Sequence, residues 1–282
     1  MASAATPATL FVVATPLGNL GDLSARAADT LRRVPVVAAE DTRRAMGLLS
    51  HLDAHPRVLS FHAHSPERRR ELLLGILAEG RDVALVTDAG TPGVSDPGES
   101  LVAAVRAAGF GVVPIPGPSA VITALSASGL PADRFLFLGF VPRKGRERER
   151  LLNEAAASAW TVVLYEAPTR LGDLLADLAT AAGAGREAVV GRELTKMYEE
   201  FRRGTLSELA SYYQASPPRG EITVVMAGRP DQPAAQLPVA DVAERAREIL
   251  AAGVSRKEVV QRLVNELGVP RNEAYRIVTS LA

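Results

Sequence analysis

Short apolar or β-branched runs recur through the first 228 residues, each followed by a stretch whose apolar positions fall at helical spacing. Leu10–Ala14, Val34–Ala39, Arg57–Phe61, Val83–Thr87 and Val112–Ile115 read as buried strands, and the alternation predicts an α/β fold with a largely parallel sheet covered by helices. Beyond Gly129 the intervening helices become more charged, and Phe135–Val141, Trp160–Tyr165, Ala188–Arg192 and Ile222–Ala227 read as strands of a second α/β lobe. Ser24 is placed to cap one helix, and Thr169 to open LGDLLADLATAA, whose Leu171, Leu174, Leu175 and Leu178 share a core-facing side.

The expected organisation is an N-terminal lobe over 1–118, a C-terminal lobe over 119–228, a linker over 229–238 (RPDQPAAQLP) and a helical appendage over 239–282. In the appendage, Val239–Ala251 forms one amphipathic helix, Ser255 caps RKEVVQRLVNEL, Gly268 stops it, and a third helix follows Pro270 and ends near Leu281. Helix, LGVP turn and helix together resemble a helix-turn-helix, with Arg271, Asn272, Tyr275 and Arg276 on its second helix. Gly109–Ala132 carries no charge, but its four prolines break any single spanning helix into strand, turn and helix, so no membrane segment is expected.

Composition narrows the chemistry. The 282 residues are 47% hydrophobic and 23% charged, with 32 Lys plus Arg against 32 Asp plus Glu, so a polyanion would be bound by local patches rather than by a global field. Zero cysteines exclude disulfides and thiolate chemistry and favour a reducing, cytoplasmic compartment. Met1–Ala8 lacks the basic start of a secretory signal and reads as a frayed tail. His51 with His55, and His62 with His64, are the only close histidine pairs; turn residues near the first pair argue against one helix presenting both, and no metal is expected.

Several strand ends run into turn-rich loops. VTDAGTPGVSDPG bends repeatedly after an apolar run, where an open α/β sheet places its ligand. ATPLGNLGDLS is Gly-rich without being a GxGxxG or phosphate-binding loop, and PIPGPSA opens a helix whose first amides suit a carboxylate or a hydroxyl. Arg143–Arg150, RKGRERER, sets five cations against two carboxylates.

In this order and spacing, ATPLGNLGDLS, VAAEDTRR, TDAGTPGVSDPG, PIPGPSA, FLGFVPRKG, LYEAPTR, GRELTKMYEE and GEITVVMAG resemble the 16S ribosomal RNA ribose 2′-O-methyltransferases of the tetrapyrrole-methylase-like class, over about residues 9–228. The resemblance implies two α/β lobes with S-adenosylmethionine folded between them, a homodimer, and a cytidine in the decoding region of 16S rRNA in the 30S subunit as acceptor. Carried over by motif, the cofactor touches Pro16; Asp88, Ala89, Gly90, Val94 and Ser95; Pro118, Ser119 and Ala120; Phe140 and Val141; Ala167 and Pro168; Glu193 and Leu194; and Ile222 and Thr223.

Transfer from a sulfonium to a hydroxyl is an in-line displacement that a base assists. Glu40, Asp41, Asp88 and Glu166 are the carboxylates weighed for that role, with Asp41, and Glu40 beside it, preferred; the alternative is that both merely cap the helix beginning at Thr42. Arg43, Arg44, His62, Arg143, Lys144, Arg146 and Arg148 are the expected RNA contacts. Two other functions remain open: a tetrapyrrole C-methyltransferase using the same cleft, and a DNA-binding regulator acting through the C-terminal helices.

Overall fold

The computed structural model describes residues 8–230, 239–267 and 269–281. Most of the proposed tail, linker residues 231–238 and the helix stop at Gly268 lie outside the described residues. The chain divides into two compact units, one ending at Arg229 and the other beginning at Pro230.

The first lobe runs β1 (Thr9–Val13), α1 (Ala25–Arg33), β2 (Val36–Ala39), α2 (Thr42–His51), β3 (Arg57–Ser60), α3 (Glu67–Ala78), β4 (Val83–Val86), α4 (Glu99–Ala107) and β5 (Gly111–Ile115). Its five strands lie in the order β3-β2-β4-β1-β5, all parallel. Helices on both faces explain why β2 and β4 are wholly apolar: period two sends Val83 and Leu85 toward Leu73, Leu77 and Leu101, and Ala84 and Val86 toward Leu31 and Leu49. Each fully buried leucine or valine contributes about 1.5–3 kcal/mol. Ser24 caps α1 by accepting from the Ala27 amide, as its position predicts. Val34 belongs to the C-cap of α1 rather than to β2.

The second lobe runs α5 (Ala120–Ser128), β6 (Phe135–Phe140), α6 (Arg146–Ala157), β7 (Thr161–Glu166), α7 (Leu171–Ala182), β8 (Glu187–Arg192), β9 (Glu200–Thr205), α8 (Leu206–Ala215) and β10 (Ile222–Met226). Its sheet, β6-β7-β10-β8-β9, is mixed rather than parallel, because β10 runs against both neighbours and β9 against β8. Strand β9 has no sequence counterpart in the expected elements. EFRRGT lacks an apolar alternation, and this edge strand is defined by its pairing to β8 and by ion pairs Arg192–Glu200 and Arg203–Glu187. Thr169 does not cap α7; a short 3-10 turn, Pro168–Arg170, leads into it, and the leucines expected on its inner face are fully buried. The opposite sheet face packs Val163, Val189 and Val225 against α5 and Leu17.

The C-terminal unit comprises α9 (Val239–Ala251), α10 (Arg256–Leu267) and α11 (Arg271–Ser280), around Val242, Ala246, Val259, Leu263, Ala274 and Ile277. The Ser255 hydroxyl accepts from the Glu258 amide at 3.4 Å, consistent with its expected capping role. Among the described residues, no helix is long and apolar enough to cross a membrane.

Candidate active site

Parallel strands deliver all their carboxyl ends to one edge of a sheet. The loops after β1, β2, β4 and β5 therefore converge, and they meet the ends of β6 and β7 and the start of β10 around a cavity of about 370 Å³. The antiparallel direction of β10 brings Ile222 and Thr223, at its beginning, beside Glu166 and Tyr165 at the end of β7.

On the first lobe the loops are tied to one another. Thr15 and Gly90 exchange two backbone hydrogen bonds of 2.9 and 3.0 Å, and the Thr91 hydroxyl donates to the Pro118 carbonyl at 3.2 Å. Gly90 is left-handed (φ 81°), and a Cβ there would press on Leu17 at 3.3 Å. Asp88 Oδ1 accepts from the Asp41 amide at 3.1 Å, Arg44 Nε lies 3.5 Å from Asp88 Oδ2, and Glu40 Oε2 accepts from the Asp88 amide at 3.4 Å. Burial pushes the Glu40 carboxyl above its ordinary range despite that amide.

The second lobe supplies an aromatic wall and one buried carboxylate. Phe140 is 58% exposed, with its ring 5.3 Å from Tyr165, which packs edge-on against Phe137 at 5.1 Å. Burial pushes the Tyr165 phenol up to about 12, so it remains a neutral hydroxyl at pH 7. Glu166 is 2% exposed; its Oε1 accepts from the Ala167 amide at 2.7 Å and pairs with Arg170, while Oε2 is buried without a partner. Burial raises its pKa, with the amide and Arg170 opposing. An unsatisfied buried acceptor costs about 1–3 kcal/mol, so Oε2 is suited to a donor on a bound molecule.

Of the expected cofactor residues, Asp88, Ala89, Gly90, Val94, Ser119, Ala120, Phe140, Ala167, Pro168, Ile222 and Thr223 line this cavity. Pro16, Ser95, Pro118, Val141, Glu193 and Leu194 are not among the lining residues. Pro118 and Val141 direct carbonyls to Thr91 and Arg170, Leu194 is buried in the core, and Ser95 sits against Gly139. Glu193 accepts from the Glu221 amide at 2.9 Å and pairs with Lys196 at 3.0 Å, under a Gly220 where a Cβ would lie 2.2 Å from it.

The two preferred carboxylates separate. Glu40 lines the cavity, whereas Asp41 does not: it caps α2 through the Arg43 amide and holds the Arg43 guanidinium at 2.8 Å, which together draw its carboxyl down to about 2. With its carboxylate committed to the Arg43 amide and guanidinium, Asp41 stands as a helix cap, the alternative weighed for it.

The cationic candidates also divide. Arg44 reaches the cavity; Arg43, its neighbour in sequence, is exposed, and so is His62 after β3, with His62 Nδ1 accepting from the His64 amide. Arg143, Lys144 and Arg146 are exposed and make no ion pair among the described residues. Arg148 is instead 13% exposed at its side chain, bound to Asp177 at 2.6 Å and to the Pro142 carbonyl, and Arg150 is paired with Glu147 and Glu154. Among the described residues, no group of three or more His, Asp or Glu is arranged to hold a metal ion.

Leu17, Thr91, Asp96, Tyr165, Gly220 and Glu221 also line the cavity and were not singled out from sequence. Asp96 lies within VTDAGTPGVSDPG and Glu221 within GEITVV, so the loops were marked but the side chains turned inward were not.

A family model described as Tetrapyrrole (Corrin/Porphyrin) Methylases matches residues 9–210. The chain is 43% identical to "Ribosomal RNA small subunit methyltransferase I" of Synechocystis sp. over 96% of this chain and 98% of that one, and 40% identical to its namesake of Halalkalibacterium halodurans over 95% and 94%. Among solved structures it is similar to uroporphyrin-III C-methyltransferase from Thermus thermophilus complexed with S-adenosylhomocysteine, with a TM-score of 0.57, 20% identity and coverage of 78% and 97%. Diphthine synthase aligns with a TM-score of 0.63 at 17% identity, covering 78% and 90%. The parallel first sheet and the mixed second sheet are thus those of a known fold, and the chain belongs to the tetrapyrrole (corrin/porphyrin) methylase family and, within it, to the ribosomal RNA small subunit methyltransferase I group.

Proposed function

We propose that this protein is an S-adenosylmethionine-dependent methyltransferase of small-subunit ribosomal RNA, acting on the ribose 2′-hydroxyl of a cytidine in the decoding region of 16S rRNA. The observation that carries this reading is near-full-length identity of 43% to a curated small-subunit rRNA methyltransferase, combined with a cavity lined by an aromatic wall and carboxylates. The residues fit the cofactor: Phe140, Tyr165, Ile222 and Pro168 offer a flat apolar slot, and the unpartnered Glu166 Oε2 offers an acceptor for an ammonium or ribose hydroxyl. The Asp88–Gly90 loop and the start of α5 at Ser119–Ala120 supply further polar groups.

When bound, the cofactor supplies a methyl carbon on a sulfonium, a leaving group that departs neutral. The chain's part is to align the acceptor oxygen with that carbon and to accept the hydroxyl proton. Glu40 holds the Asp88 loop by accepting from its amide, and Arg44 lines the cavity. Arg143, Lys144 and Arg146, with Arg43 and His62, form the cationic ledge for RNA phosphates. Its partner is 16S rRNA in the 30S subunit, the enzyme is a homodimer, and it works in the cytoplasm.

Purified protein incubated with 30S particles and labelled cofactor, followed by nucleotide mapping, is expected to yield a single 2′-O-methylated cytidine in 16S rRNA. Protein that binds S-adenosylhomocysteine in calorimetry yet methylates a tetrapyrrole and leaves 30S RNA unmodified would overturn the RNA reading while preserving the fold.

A further inference from the structure

We infer that Asp96 is the group that takes the proton from the ribose 2′-hydroxyl, an inference that rests on the methyl-transfer function proposed above. Most carboxylates lining the cavity are already engaged by partners. Glu40 accepts from the Asp88 amide, Asp88 accepts from the Asp41 amide and faces Arg44, Glu166 is held by the Ala167 amide and Arg170, and Glu221 pairs with Lys196 at 3.2 Å. A cation or an amide thus occupies an acceptor oxygen of each of these and favours its ionised form, although burial still raises Glu40 and Glu166. Asp96 alone among them has no cation within ion-pair distance and no backbone donor among the described residues; only the Thr87 hydroxyl neighbours it.

The loop that presents it is built with unusual backbone. Ser95 is left-handed (φ 60°), as are Gly93 and Gly98 on either side, and Ser95 sits against the left-handed Gly139 of β6, where a Cβ would lie 2.9 Å from its hydroxyl. A non-glycine residue held at positive φ costs on the order of 1 kcal/mol and persists only where its surroundings impose it. This clasp between the lobes turns the following residue toward the cavity instead of leaving it at the N-cap of α4, which Gly98 occupies.

The groups facing Asp96 come from both lobes: Glu40 after β2, Asp88 after β4, Tyr165 on β7 and Glu221 before β10, with the charges of Arg44 and His62 acting on Glu40. Burial first, then the Glu40 charge, pushes the Asp96 carboxyl up to about 6, which leaves it ionised at neutral pH yet basic enough to accept a proton. In the step, the 2′-oxygen bonds to the methyl carbon as that carbon's bond to sulfur breaks and its electron pair stays on sulfur; the hydroxyl proton passes to Asp96 Oδ and then to water.

Asp96→Asn is the test, with Asp96→Glu as the conservative partner, each assayed for turnover on 30S particles from pH 5 to 8 and for S-adenosylhomocysteine affinity by calorimetry. Expected for Asp96→Asn is a fall in kcat on the order of 100-fold or more, with affinity for the nucleoside and KM for the particle within a few-fold of wild type. Wild-type activity should fall as pH drops through about 6, and the residual activity of Asp96→Asn should lack that limb. Asp96→Glu should recover part of the turnover. An Asp96→Asn protein with unimpaired turnover and an unmoved acid limb overturns the assignment, and so does a loss of nucleoside affinity matching the loss of turnover. Wild-type protein that binds the nucleoside but leaves the RNA unmethylated overturns the function itself.

Discussion

The two walls of the cavity hold their carboxylates by different physics. On the first lobe, Asp88 and Glu40 follow strands of a parallel sheet, half-buried, and are held mainly by backbone amides, with Arg44 at 3.5 Å from Asp88 as a loose neighbour. On the second, Glu166 is withdrawn from water and held by Arg170, whose guanidinium also donates to the Val141 carbonyl at 3.2 Å. Exposed ion pairs are worth little, whereas removing one partner of a buried pair leaves a charge in a poor solvent. The first wall can therefore exchange partners cheaply, and the second is a fixed platform.

The largest expected effect breaks that contrast directly. Arg170→Ala strands the Glu166 carboxylate and should destabilise the protein by about 3 kcal/mol, read from urea unfolding; Arg44→Ala, opposite Asp88, should cost less than about 1 kcal/mol. Equal costs would mean that the two walls are not distinct. Next, the double reversal Arg143→Glu with Lys144→Glu should weaken binding to 30S particles and reduce the slope of log affinity against log salt by roughly 1–2, while Arg150→Glu, already committed to Glu147 and Glu154, should leave that slope unchanged. The smallest effect concerns the edge of the second sheet. Thr205 closes β9 and opens α8 through a capping box with Glu208, so Thr205→Ala should cost about 1 kcal/mol in the same unfolding measurement, with the loss of amide protection confined to the β9–α8 junction.

The same contrast separates what could be read from the chain. In the first lobe the inner strands β2 and β4 are buried on both faces, so VVAA and VALV are unbroken apolar runs whose positions follow from composition. In the second lobe β9 is an edge strand of mostly polar residues, invisible to a pattern built on burial, and the reversal of β10 depends on pairing that no local signal encodes. The site behaves likewise. Loops rich in Gly and Pro marked where the cavity lies, yet of two carboxylates that follow strands of the first sheet, Asp41 caps α2 and Asp96 lines the cavity.

By itself, the order of residues determined the α/β class, the core faces of the helices, the family and the loops that surround the cavity. Those properties depend on periodicity, turn chemistry and motif spacing, which are local. Only the tertiary structure decided the strand directions of the second sheet, the retirement of Arg148 into a pair with Asp177, and which carboxylates are quenched by amides and cations. Basicity and availability are set by neighbours brought in from distant segments, through burial and Coulomb interactions that fall off with separation in space rather than along the chain.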